Sequence, residues 1–344
     1  MDPKNNTEVI PLTHLVRWQD ILKSCFTKPD DLLNYLNIRT EVPEALQQTM
    51  TNFPMRVPLP FAQRMRKGDL NDPLLLQVLP QIAELETIPG FTHDPLCESH
   101  ATAKEGLLHK YHGRVLLVTT SSCAIHCRYC FRRHFPYDSH RLNKQHWLET
   151  FDYIAQDGTI SEVILSGGDP LNCANHQLEW ISHQLEKIPH IKRLRIHTRL
   201  PIAIPQRVDS GLLSWLANCR LKVVMVLHCN HPNEIDEAVR VALSKLSDIK
   251  IPLLNQSVLL AKVNDRVDIL AELSEQLFDC GVQPYYLHLL DKVTGSAHFD
   301  LENHKVEQLY RELFEILPGY LVPKLVREVA GAPAKVPALS PVWG

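Results

Sequence analysis

The feature that most restricts the fold is a rhythm that begins near residue 106. Short apolar, β-branched runs at 114–120, 162–166, 193–198, 222–228, 255–260 and 284–290 alternate with amphipathic stretches. In 176–188, Leu178, Ile181, Leu185 and Ile188 share one helical face; 233–246 has the same period, and so has 267–281 before Gly281 stops it. Strands separated by helices predict parallel βαβ units, because a parallel connection is long enough to hold a helix. Periodicity leaves two forms open: a full or partial barrel, or an open doubly wound sheet. Residues 1–105 read differently. Trp18, Ile21, Leu22 and Phe26, then Leu32, Leu33 and Leu36, recur at helical spacing, and prolines from 43 to 95 break the rest into short pieces. The expected organisation is a helical region over 1–105 packed outside the core, the α/β unit over 106–317, and a short C-terminal segment over 318–344.

Bulk properties exclude several classes. A hydrophobic content of 44% and a charged content of 22% are those of an ordinary globular protein. The formal charge is −3, from 36 basic and 39 acidic residues, so nothing points to nucleic acid. No apolar run approaches the roughly 20 residues that span a bilayer. The N-terminus is polar and has no apolar leader core. The expected location is the cytoplasm, where thiols stay reduced. Nine cysteines make an odd count for a disulfide framework, and three of them crowd into 123–130. In a reducing compartment such a cluster favours metal over disulfides.

The cluster reads C-x3-C-x2-C, with Cys123, Cys127 and Cys130 just after the first run. In parallel α/β folds the site lies beyond the C-terminal ends of the strands. The other runs lead to Ser166-Gly167-Gly168-Asp169, to Arg199, to His228 and Asn230, to Asn264 and Asp265, and to Asp291 and Lys292. Thiolates suit iron–sulfur clusters or zinc. A structural zinc needs four protein ligands, and His126 or His134 offers a fourth. Three cysteines on a four-iron cluster leave one iron open to a chelating ligand. This spacing resembles the signature of the radical S-adenosylmethionine (SAM) superfamily, and the resemblance runs over 106–317. It implies an incomplete (β/α)6 barrel and a 4Fe–4S cluster on Cys123, Cys127 and Cys130, with SAM on the open iron. Ser166, Gly167, Gly168 and Asp169 resemble the family's stretch that meets the SAM amino group.

A lysine in a loop of small residues, Lys335, can form a Schiff base with pyridoxal phosphate (PLP); alone, it reads more readily as a surface lysine. The segment GYLVPKLVREVAGAPAKVP (319–337) is similar to the PLP-lysine segment of the lysine 2,3-aminomutases. LLHKYHGRVLL (107–117), HPNEID (231–236), NQSVLL (255–260) and PYYLHLLDKVTGSAHF (284–299) add to the likeness. CRYCFRRHFPY (127–137) and the short C-terminus most resemble the subgroup that matures elongation factor P. The resemblance implies that Lys335 is the catalytic Schiff-base lysine. It also implies that Arg132 holds the substrate carboxylate and that Asp291 and Glu328 hold the distal ammonium. Lys110, Tyr111 and Arg114 would meet the PLP phosphate, and Arg199, His228, Asn230 and Gln256 would line the SAM and PLP cavity. The implied reaction converts (S)-α-lysine to (R)-β-lysine. The implied partners are L-lysine, a flavodoxin- or ferredoxin-like reductant, and a functional link to elongation factor P and its lysyl ligase. No nucleic acid or membrane partner is expected, and a homo-oligomer is left open. Two alternatives stand: a radical SAM aminomutase on another amino acid, or a non-catalytic zinc-binding interaction module.

Overall fold

The structure is a computed structural model that describes residues 17–40, 43–137 and 144–338. Its ten strands form one sheet in sequence order. They are β1 (Thr102–Lys104), β2 (Leu107–Tyr111), β3 (Arg114–Thr120), β4 (Glu162–Gly167), β5 (Arg193–Thr198), β6 (Lys222–His228), β7 (Leu253–Val258), β8 (Val282–His288), β9 (Lys324–Arg327) and β10 (Val336–Pro337). Neighbours from β3 to β9 are parallel, whereas β1–β2, β2–β3 and β9–β10 are antiparallel. Among the described residues no pairing joins β1 to β10, so the sheet is an incomplete barrel.

The six apolar runs correspond to β3 to β8, each followed by a helix before the next strand. Those helices are Lys144–Gln156, Asn175–Glu186, Ser210–Asn218, Glu237–Asp248, Val267–Asp279 and Asn303–Ile316. The alternation has a direct structural meaning on β5. Leu194 and Ile196 are fully buried in the main apolar cluster with Leu178, Ile181 and Leu185, while Arg195 and His197 line the interior cavity. β7 and β8 start two residues earlier than the apolar runs. Pro284, which cannot donate to the ladder, lies inside β8 where the β7–β8 register shifts. At the other end Leu260 leaves the sheet, its N–H taken by the Asn264 side chain at 2.8 Å. The helix expected from 233 starts later, because the Asp236 side chain caps it by accepting from the Val239 N–H at 2.9 Å.

The described residues before β1 are less peripheral than their pattern implies. Leu32, Met55, Val57, Phe61, Leu74 and Leu75 are buried in the same cluster as the barrel strands. Glu84 accepts from Arg128 at 2.5 Å and from Arg133 at 2.6 Å, tying this region to the cysteine loop through a buried charge triad. Arg132 and Arg133 are both buried.

Candidate active site

The cysteine loop is held by backbone contacts that admit only glycine. The Gly168 N–H donates to the Thr120 carbonyl at 2.7 Å, and the Asp169 N–H donates to the Ser122 carbonyl at 3.0 Å. A Cβ on Gly168 would lie 2.5 Å from the Ser122 oxygen. Gly167 has φ +107° and would press a Cβ to 2.8 Å from Val118 Cγ1, so both glycines are dictated by close approach. Asp169 acts as a brace. Its carboxylate accepts from the N–H groups of Leu171, Arg199 and Leu200 and from the Thr198 hydroxyl. It thereby ties its own loop to the one after β5 and has little capacity left for a ligand.

Cys123, Cys127 and Cys130 all line one cavity of about 400 Å³. Among the described residues, no three Cys, His, Asp or Glu side chains are placed to share a single metal ion. On a four-iron cluster each of the three thiolates would bind a different iron. The histidines offered as a fourth zinc ligand point elsewhere. His126 bonds the Pro54 carbonyl at 2.8 Å and His134 the Thr294 carbonyl at 3.2 Å, and neither lines the cavity. Burial pushes the Cys130 thiol up to about 11 and also raises Cys123 well above its ordinary value, so bound iron would supply the charge that favours thiolate.

The cavity's other end gathers residues from β2, the start of β3, the loops just after β8 and β9, and the segment before β10. Lys335 Nζ lies 2.7 Å from Glu328 Oε2, and Glu328 Oε1 accepts from the Tyr111 hydroxyl at 2.8 Å and from Lys110 at 3.2 Å. Burial alone would raise the Glu328 carboxyl, but Lys335 and Lys110 hold it well below the usual carboxylate range. Asp291 behaves oppositely. Burial, then the neighbouring Glu328 charge, push it up to about 7. Arg114 stacks over the Tyr111 ring at 4.6 Å.

Arg132 stands between the two ends. Its Nε and Nη2 donate to Glu98 at 2.7 and 2.8 Å, and Nη1 donates to Ser166 Oγ at 3.2 Å. Arg199 reaches the Cys127 sulfur at 2.7 Å and Glu234 at 3.0 Å. Tyr129 links this pair to His228, whose ring nitrogen lies 2.8 Å from the Tyr129 hydroxyl. Burial, then Arg199, lowers His228 to about 3, so it is a neutral imidazole. Gln256 lines the cavity as expected.

Asn230 does not line it. The residue is fully buried behind the wall, donating to the Tyr129 hydroxyl at 2.7 Å and accepting from the Val258 N–H at 2.9 Å. β6 ends at His228, so the alternation that would have turned Asn230 inward stops before it. Sequence reasoning missed Glu98, Arg195, His197, Tyr286 and His288, which all line the cavity. Polar side chains alternating with apolar ones on β5 and β8 were a usable signal for four of them. Glu98 lies in the proline-broken region and carried none.

A model of the radical SAM superfamily matches residues 117–209. An L-lysine 2,3-aminomutase from Escherichia coli (strain K12) is 50% identical over 93% of this chain and 94% of its own length. One from Haemophilus influenzae is 48% identical over 95% of this chain and 98% of its own. One from Clostridium subterminale is 34% identical over 94% of this chain and 77% of its own. The chain belongs to the L-lysine 2,3-aminomutase family. It is accordingly an isomerase, and membership implies a 4Fe–4S cluster, SAM and PLP. The residues present fit such a set: three thiols at one end of the cavity, a lysine with cationic and phenolic neighbours at the other. Among the described residues no helix is long and apolar enough to cross a membrane.

Proposed function

We propose that this chain converts L-lysine to (R)-β-lysine within the cavity between the cysteine loop and Lys335. The observation that carries the reading is one cavity lined by Cys123, Cys127 and Cys130, by Lys335, by the Arg132 guanidinium and by the acids Asp291 and Glu328. When bound, the cluster and SAM supply the hydrogen-abstracting radical, and PLP carries the amino group between carbons. Cys123, Cys127 and Cys130 would hold the cluster, Ser166 to Gly168 would border SAM, and Lys335 would hold PLP with its phosphate near Lys110, Tyr111 and Arg114. The protein's own contribution is positioning and exclusion of water.

Arg132 would hold the α-carboxylate at one end of the substrate. Glu328 gives up its Lys335 partner to take the distal ammonium, and Asp291 ionises beside it. A substrate without that ammonium leaves Asp291 with no cation to pair with, which sets the preference for lysine. The same two acids disfavour glutamate, whose distal carboxylate they would repel. By likeness to the subgroup that matures elongation factor P, the product would serve that factor and its lysyl ligase in the cytoplasm. The electron would come from a flavodoxin- or ferredoxin-like donor. Replacing Lys335 by Ala tests the cofactor site: the visible absorbance of bound PLP should vanish from cluster-free protein, and a retained band would overturn the assignment of Lys335.

A further inference from the structure

Glu98 is a cavity acid with no part in the chemistry described so far. It opens a tight turn, Glu98–Ala101, entered through Cys97 at φ 48°. Asp94 pins the turn by accepting from the N–H groups of Glu98 at 2.9 Å and Ser99 at 3.2 Å. The Glu98 side chain is 4% exposed, and both its oxygens lie on the Arg132 guanidinium. A guanidinium has five N–H groups. Two go to Glu98 and one to Ser166, which leaves one on each terminal nitrogen.

We propose that Glu98 is an internal carboxylate that competes with the substrate's carboxylate for Arg132 and sets how loosely that residue holds an amino acid. The proposal rests on the reading of Arg132 as the carboxylate holder. Charge is the reason. A buried guanidinium without a partner would grip any carboxylate, product included. With Glu98 in place the pair is already neutral, and an incoming carboxylate meets a like charge across one guanidinium. Lys110, 3.5 Å from Glu98 Oε1, is a second cation beside it. Substrate and product both carry a carboxylate, so a moderated grip favours their exchange.

The test is equilibrium calorimetry, anaerobically and without SAM, on enzyme loaded with cluster and PLP. The ligands are L-lysine and cadaverine, which keeps the chain and both amines but lacks the carboxylate. Glu98→Gln, which removes the charge at nearly constant shape, should tighten lysine binding about tenfold or more and leave cadaverine within about twofold. Glu98→Asp keeps the charge but reaches less far, and should tighten lysine several-fold; it serves if the Gln variant fails to fold. Unchanged or weaker lysine binding in folded, iron-replete variants would overturn the proposal and make Glu98 a fixed brace. An equal change for cadaverine would overturn it too. Arg132→Gln separates the underlying reading: lysine affinity unmoved there removes Arg132 as carboxylate holder. A loss there with no gain in the Glu98 variants removes Glu98 alone.

Discussion

If Asp291 receives the distal ammonium, lysine binding should titrate with it. The carboxyl is pushed up to about 7 by burial and by Glu328, so it is protonated below neutrality and offers no charge. Glu328 is held far below that range and contributes no slope near neutral pH. From pH 8 to pH 6 the ionised fraction of Asp291 falls from about nine-tenths to about one-tenth, and lysine affinity should fall about tenfold with it. Asp291→Asn should remove this slope. It should also weaken lysine binding at pH 8 by about a hundredfold, since breaking a buried ion pair costs about 3 kcal/mol even with Glu328 remaining. Norleucine is the control. It shares the α-amino and carboxylate groups and lacks the distal ammonium, so its pH dependence reports everything except Asp291. The assay is calorimetric titration of both ligands at pH 6, 7 and 8 with wild type and variant. An identical slope for lysine and norleucine, or a slope that survives in Asp291→Asn, would refute the reasoning.

The same shift predicts a stability effect of defined sign. The folded chain keeps a proton on Asp291 that the unfolded chain loses, so Asp291 destabilises the free protein progressively from about pH 4 to pH 7. Asp291→Asn without ligand should raise the melting temperature at pH 8 more than at pH 5, and an equal rise at both would contradict the shift. Gly168→Ala drives a Cβ onto the Ser122 backbone and should cost about 1–3 kcal/mol, with iron content reduced after reconstitution; wild-type iron and melting would show that the loop yields freely. Cys127→Ala should lose the brown chromophore and most of the iron while far-UV circular dichroism stays native. Retention of four irons would place the cluster elsewhere.

Much of the scaffold was written in local pattern. Six apolar runs became β3 to β8 because alternation on a barrel strand separates helix-facing from interior side chains, as Leu194 and Ile196 do from Arg195 and His197. The short flanking strands β1, β2, β9 and β10 span two to five residues, too few for a period to show. Lys335 and Glu328 came from likeness between long segments, since a lone lysine among small residues says nothing by spacing. Two site features escaped for physical reasons. Glu98 meets Arg132 across 34 positions through an irregular turn, a long-range pairing with no local trace. Asn230 belongs to the strand-end constellation in sequence, yet the strand stops at His228 and the side chain turns into the wall.

The central claim is tested most directly by an anaerobic reaction. Protein reconstituted with iron and sulfide is given PLP, SAM, dithionite and L-lysine, and the amino acid is analysed by chiral mass spectrometry. The account predicts β-lysine in the R form, with SAM not consumed in proportion to product. SAM cleaved while lysine remains unchanged would contradict the proposed substrate and leave only the radical chemistry standing.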